Sequence, residues 1–378
     1  MMWRDLAPTG LLADLRAFRA EHVDPVATDL DERDQYPVDL VHRVAERGWN
    51  SATLPEEYGG LGWSMEMATA LFEELSVGSA ILGISLITNF QTQQVLLSFG
   101  ERSLNERWLP RYADGLIASY ALTERARGSD IRSLDTRATH TDDGWEITGQ
   151  KAFITSGSAA ELFLVLAETP VGVSVFAIPR DTKGVSTELT REAQTFGLRN
   201  GPHVDLNLDH VRLPADHLVG QEGRGLSHVM HVLARSRTLA AAISLGIARA
   251  AFDGSLTWAR ERTAFDQRVT DFQGIQWYFA SASAQMAAAR LLTYAAAQDL
   301  DRGHDVARSS SEAKLLAGRT ATEVAEMAVQ VCGAHGTRLS SPFGRYLRDA
   351  KAYEVAGGSN EVLKNTIAKR LLASVSES

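Results

Sequence analysis

Few residues in this chain could do chemistry, and they stand in unusual places. In YEVAGGSNEV (353–362) two adjacent glycines sit between acidic residues near the end of the chain, where glycine supplies no acid, base or nucleophile. His228 and His231 lie three apart on an expected helix and could share a metal, but no third His or acidic ligand falls in register, so no metal is expected. His335, beside glycines after a helix, reads as a capping or structural residue. GQEGRG at 220–225 has the wrong spacing for a dinucleotide fingerprint and follows a strand ending in a Pro-containing loop, which argues against a Rossmann site. No GxSxG nucleophile elbow occurs. The single cysteine, Cys332, excludes internal disulfides and cysteine-based metal clusters. Five stretches remain: SYALTERARGSD (119–130), ITGQKAFITSG (147–157), ERTAFDQRVTDFQGIQ (261–276), QVCGAHG (330–336) and RDAKAYEVAGGSNEV (348–362). Each alone has an ordinary reading, in turn a strand with its loop, a hairpin, a charged helix face, a helix cap and a helix end.

The elements that would position them fall into three regions. Residues 1–115 carry helical periodicity, as in LVHRVAERGW and MEMATALFEELSV, interrupted by the glycine-rich turn PEEYGGLGW at 55–63. From 116 to 220 the pattern changes to period two. Val204, Leu206 and Leu208 alternate with polar neighbours, and so do Trp145 and Ile147, while LFLVLAE and GVSVFAIPRD read as strands covered on both faces. An antiparallel β domain is expected there. From 221 to 378 the chain is alanine-rich and helical, and Ala284, Ala288, Leu291 and Ala295 recur at helical spacing before a stop at Gly303. Further helices are expected at about 312–332 and after Ser359. Helices, then strands, then helices make an α+β chain rather than a parallel doubly wound sheet.

The 378 residues are 44% hydrophobic and 22% charged, an ordinary globular composition. With 38 Lys plus Arg against 47 Asp plus Glu, the net charge is −9, and no overall basic field is available for nucleic acid or anionic lipid. The first residues, MMWRDLAPTGLLADLRAFRAEHVDP, hold scattered charges and no unbroken apolar run, so a cytoplasmic location is expected.

Taken in order and at their distances, the five stretches resemble the acyl-CoA dehydrogenase family of flavoproteins, from PEEYGGLG to the last helix. The resemblance implies a helical N-terminal domain, a middle β domain and a C-terminal four-helix bundle, with FAD between the last two. It places Tyr120, Leu122 and Thr123 along the flavin ring, and Gly128 and Ser129 in the turn that approaches the pyrophosphate. Ser129 would also border the substrate. Phe153 replaces the usual Trp against the flavin, and Thr155 matches the hydroxyl donor to flavin N5. Arg262, Phe265 and Gln273 match contacts to the FAD of a neighbouring subunit, as do Gln330 and Gly333, with Ala334 replacing a usual glycine. A homotetramer or homodimer is therefore implied. Ser359 and Glu361 match the last FAD contacts, and Arg237 a substrate-pocket arginine.

The chain departs from the family at its base. The glutamate that takes the α-proton of an acyl thioester commonly stands at the position of Gly357; its other known position is Ser236, within LARSR at 233–237. Neither is a carboxylate. Arg125, Ala126 and Arg127 also replace Pro-Gly-Ala, adding two cations beside the expected flavin entrance; these could favour an acidic acyl carrier protein or a substrate carboxylate. Three readings follow. One keeps α,β-dehydrogenation of a CoA-bound or carrier-bound acyl thioester, with a base from elsewhere such as Glu354, one helical turn before Gly357. The second is a flavin-dependent oxidase or monooxygenase. The third is a non-catalytic FAD-binding paralogue.

Overall fold

A computed structural model describes residues 8–199 and 203–375. The N-terminal helices are α1 (Thr9–Phe18), α2 (Ala27–Arg33), α3 (Val38–Glu46), α4 (Met65–Gly78), α5 (Ala80–Phe99) and α6 (Arg102–Trp108). Ser64 caps α4 by accepting from Met67 N at 3.2 Å, and Asp301, far along the chain, accepts from Met65 N at 2.6 Å. That second cap ties the start of α4 to the C-terminal bundle. α5 is buried on nearly every side, so its apolar residues do not form a single stripe.

The middle region is a seven-stranded sheet of β1 (Ala118–Ala121), β2 (Arg137–Thr141), β3 (Gly144–Ile154), β4 (Leu162–Thr169), β5 (Gly172–Pro179), β6 (Val185–Glu188) and β7 (Val204–Pro214). It is mixed rather than purely antiparallel, because β4 runs parallel to β1 and to the start of β2. The continuous apolar runs of β4 and β5 are buried along almost their whole length. Along β7, Val204, Leu206 and Leu208 face inward as their alternation predicts, but Asp205 is buried too and pairs with Arg125.

The C-terminal region begins with α7 (Gly225–Glu261), which starts against β5 and runs the length of the bundle. A short hairpin, β8 (Thr263–Ala264) with β9 (Gln267–Arg268), turns the chain into α8 (Gln273–Asp301), followed by α9 (Ser309–Cys332), α10 (Phe343–Val355) and α11 (Asn360–Val375). α7 packs on α9, α4 and α5, and its small residues let it come close: a Cβ added at Gly246 would lie 2.5 Å from the Glu73 carbonyl oxygen of α4. α7 is long and apolar enough to cross a membrane, but its apolar stretch is mostly buried inside the protein.

On α8 the stripe of Ala284, Ala288, Leu291 and Ala295 faces outward, and Leu291 is 51% exposed. The core side of this helix is instead Phe279, Ala282, Met286, Ala289 and Tyr294.

Candidate active site

The first group of site residues gathers on β1 and at the end of β3, where the Ser119 hydroxyl donates to the Thr155 carbonyl. Tyr120 on β1 is buried in one apolar cluster with Val229 and Val232 of α7, and Leu122 packs against the same cluster. Burial pushes the Tyr120 phenol well above its usual range, and its hydroxyl has no partner. Phe153 is held at φ +58 and leaves its ring 46% exposed. The Thr155 hydroxyl lies 3.0 Å from Nδ1 of His203, whose ring burial holds at about 4 and therefore neutral. His203 was not singled out by the sequence; an isolated histidine before a strand gives no spacing signal.

A buried ion pair sets the loop that carries Gly128 and Ser129. Glu124 accepts from Asp135 N at 2.7 Å, Thr136 N at 2.9 Å and Lys151 Nζ at 2.8 Å. Burial alone would raise the Glu124 carboxyl, but these bonds hold it at about 2. Lys151 also reaches the Leu122 carbonyl, and Thr123 accepts from Ala152 N at 2.9 Å. The loop is thus tied to β3 at its start, while Gly128 and Ser129 are exposed and a Cβ at Gly128 would touch nothing. Of the two extra cations, Arg125 is spent on Asp205 and Thr190, whereas Nε of Arg127 is buried without a partner.

Arg262, Phe265 and Gln273 lie at the opposite end of α7, around the β8–β9 hairpin, all exposed and Phe265 91% so. His335 stacks on Trp258 at 5.8 Å, which brings Gln330 and Gly333 to the same end. From Val232 to Arg262 the helix is roughly 45 Å long at about 1.5 Å rise per residue.

The third group lies beside Arg237. Gly357 and Gly358, at φ +69 and +104, form the turn between α10 and α11, and Nη2 of Arg237 is 3.6 Å from where a Gly358 Cβ would be. Ser359 and Glu361 follow; the Glu361 carboxyl is lowered by its own backbone amide and by the Ser359 hydroxyl. At Gly357 a side chain would meet nothing within 4 Å. Ser236 offers no base, since its hydroxyl accepts from Gln91 at 3.1 Å and contacts the Leu233 carbonyl at 3.4 Å. Glu354, the alternative base, is held by neighbouring groups. Its carboxylate takes bonds from Thr322 at 2.9 Å, Lys351 at 3.0 Å and Asn360. Burial raises its carboxyl, but these partners outweigh that and leave it below the usual range, a structural clamp and a poor base.

These residues fit a flavin nucleotide. The orphaned Tyr120 hydroxyl, the bare Phe153 ring and the open Gly128 turn are features that a flat, polar-edged ring with a pyrophosphate tail would satisfy. The architecture and site define an FAD-dependent oxidoreductase. Family models describe its three parts as the N-terminal domain (residues 9–116), middle domain (119–211) and C-terminal domain (223–372) of acyl-CoA dehydrogenase. The chain belongs to the acyl-CoA dehydrogenase family. It is 32% identical to a probable acyl-CoA dehydrogenase of Mycobacterium leprae, over 96% of this chain and 94% of that protein. Its fold is similar to butyryl-CoA dehydrogenase from Megasphaera elsdenii, with TM-score 0.92, 29% identity and coverage of 96% and 97%. It is also similar to a Mycobacterium smegmatis glutaryl-CoA dehydrogenase in complex with FADH2, with TM-score 0.91, 25% identity and coverage of 96% and 93%.

Proposed function

We propose that this protein dehydrogenates the α,β bond of an acyl thioester in an oligomer whose neighbouring subunit completes each flavin site. The observation that carries the reaction is the match to acyl-CoA dehydrogenases over nearly the whole chain, supported by the unpartnered Tyr120 hydroxyl and the exposed Phe153 ring. A bound FAD would supply a hydride acceptor. Tyr120, Leu122, Thr123 and Phe153 would hold its ring, Thr155 would offer its hydroxyl to it, and the Gly128–Ser129 turn would receive the pyrophosphate. Ser359 and Glu361 would hold it from the C-terminal region, and Arg237, Ser129 and Gly357 would border the acyl group. No fixed carboxylate stands at either family position of the base, so the chain's own residues position the thioester without a built-in proton acceptor there.

The oligomer rests on two observations. Arg262, Phe265 and Gln273, matched to nucleotide contacts, lie around the end of α7 opposite Val229 and Val232, which share an apolar cluster with Tyr120. Also, α8 shows solvent a face of Trp277, Ala284, Ala288, Leu291 and Ala295, which a second copy would cover. Both CoA and a carrier protein remain as the thioester's handle; with Arg125 neutralised by Asp205, only Arg127 is left to attract an acidic carrier.

The test is an anaerobic titration of the purified flavoprotein with saturated acyl thioesters on CoA and on a carrier protein. Bleaching of the visible flavin band is expected. A flavin that stays oxidised with every saturated thioester overturns the reading and makes oxygen uptake with added reductant the next assay.

A further inference from the structure

The corner beside Gly357 holds two buried cations, and one of them, Arg237, has no carboxylate against it among the described residues. Arg237 is only 2% exposed. One terminal nitrogen donates to Ser311 Oγ at 3.1 Å, and its Nε is buried without a partner among the described residues. Burial alone acts on its guanidinium; no carboxylate among the described residues offsets it. Lys314 beside it is fully buried and donates to the carbonyls of Glu354 at 3.1 Å and Gly358 at 2.8 Å. Burial and then the Arg237 charge press the Lys314 ammonium down to about 7, against the pull of Glu354. Glu354 itself is already bound by Thr322, Lys351 and Asn360.

Space and access complete the arrangement. A side chain at Gly357 would meet nothing within 4 Å. Arg237 also forms part of the wall of a cleft of about 780 Å³ between α7, the α8–α9 connection and α11. That cleft carries Arg235, Lys369, Arg370 and His304, and its one acid, Asp305, is paired with Arg370 at 3.1 Å. A buried guanidinium without an anion is costly to keep, and a cleft lined with one sign of charge concentrates the other. Both facts point to a ligand that brings the negative charge with it.

We propose that this corner is a carboxylate-binding site, in which a carboxylate pairs with Arg237 in the open space over Gly357. The carboxylate belongs to the far end of the acyl chain, making the substrate a dicarboxylic monothioester, or to a separate small carboxylic acid. Only the naming of an acyl thioester rests on the reading above; the site itself stands on the charge arrangement.

The experiment measures binding without turnover. The holoenzyme, reduced anaerobically with dithionite so that its flavin cannot take up a hydride, is titrated with glutarate and with its neutral diamide at fixed ionic strength, and then by equilibrium dialysis with the glutaryl and pentanoyl thioesters of CoA. Tighter binding of the glutaryl thioester by at least tenfold is expected. Saturable binding of free glutarate but not of the diamide would assign the site to a separate acid as well. Gly357→Glu, which supplies the carboxylate from the chain itself, should abolish the preference, and Arg237→Gln should abolish it if that variant folds. Equal affinity for the two thioesters together with no saturable glutarate binding overturns the proposal. A carboxylate preference in a protein whose flavin no saturated thioester bleaches would leave this site standing and refute the dehydrogenase reading.

Discussion

Lys151→Met tests whether the buried Glu124–Lys151 pair organises the flavin loop. The substitution removes one of three strong donors to a carboxylate that is only 3% exposed, leaving the two backbone amides of Asp135 and Thr136. Breaking a buried pair from one side typically costs 3–5 kcal/mol, and the remaining amides place this case at the low end, about 3 kcal/mol. Denaturant unfolding of the holoenzyme at fixed FAD concentration measures it. FAD affinity should fall as well, because Lys151 also touches the Leu122 carbonyl and steadies the residues leading to Gly128. The double variant Glu124→Gln/Lys151→Met should recover part of the stability, since no charge is then stranded, without recovering FAD affinity. The pH dependence has a definite sign. The Glu124 carboxyl is lower in the fold than its ordinary 4.5, so its stabilisation is full above that value and is lost as pH falls toward about 2. Lys151→Met should shrink that acid-side loss. A Lys151→Met protein within 1 kcal/mol of the parent, an order-of-magnitude limit for an exposed pair, with unchanged FAD affinity would refute the clamp.

Arg262→Ala should leave the purified protein folded but without FAD, read from the ratio of visible to ultraviolet absorbance; full flavin occupancy would remove Arg262 from the nucleotide site. Leu291→Lys, on the exposed face of α8, should both dissociate the oligomer in light scattering and release FAD. Retained assembly would place the subunit contact elsewhere. Glu354→Gln should lower stability by roughly 1–2 kcal/mol through the loss of charge-assisted bonds from Lys351 and Asn360, with flavin reduction by thioester changed less than about tenfold. A loss of about 10²-fold or more in the reduction rate would make Glu354 the base after all.

Local pattern showed where the elements lie but not always what surrounds them. The stop at Gly303 and the helix beginning just after Ser359 were legible because glycine and capping positions act within a few residues. The outward stripe of α8 was not: period 3.6 marks Ala284, Ala288, Leu291 and Ala295 as one face, and nothing local says whether the chain or a partner covers it. Strand direction was also out of reach, since the continuous apolar runs of β1 and β4 read the same whether the strands pair parallel or antiparallel. Lys151 and Asp205 sit inward on strands where their polarity predicts solvent, each because a partner distant in sequence neutralises it. The residues matched to flavin contacts were named by resemblance alone, whereas the place of Arg262, Phe265 and Gln273 around the far end of α7 required the helix as built.

The glycines at 357 and 358 and the unpaired Arg237 are best understood together. A carboxylate fixed at Gly357 would stand in open space in the corner where Arg237 and Lys314 concentrate positive charge, and would offset part of the cost of burying them. With glycine there, that cost persists in the free protein unless an anion enters. Neutralising substitutions would have been the cheaper way to relax such a corner, yet Arg237 remains buried and a basic cleft still opens onto it. The arrangement is one in which the chain holds the cations and the ligand completes the charge balance. Substrate binding and assembly of the reactive corner would then be the same event, and a thioester lacking the carboxylate would occupy the site without completing it.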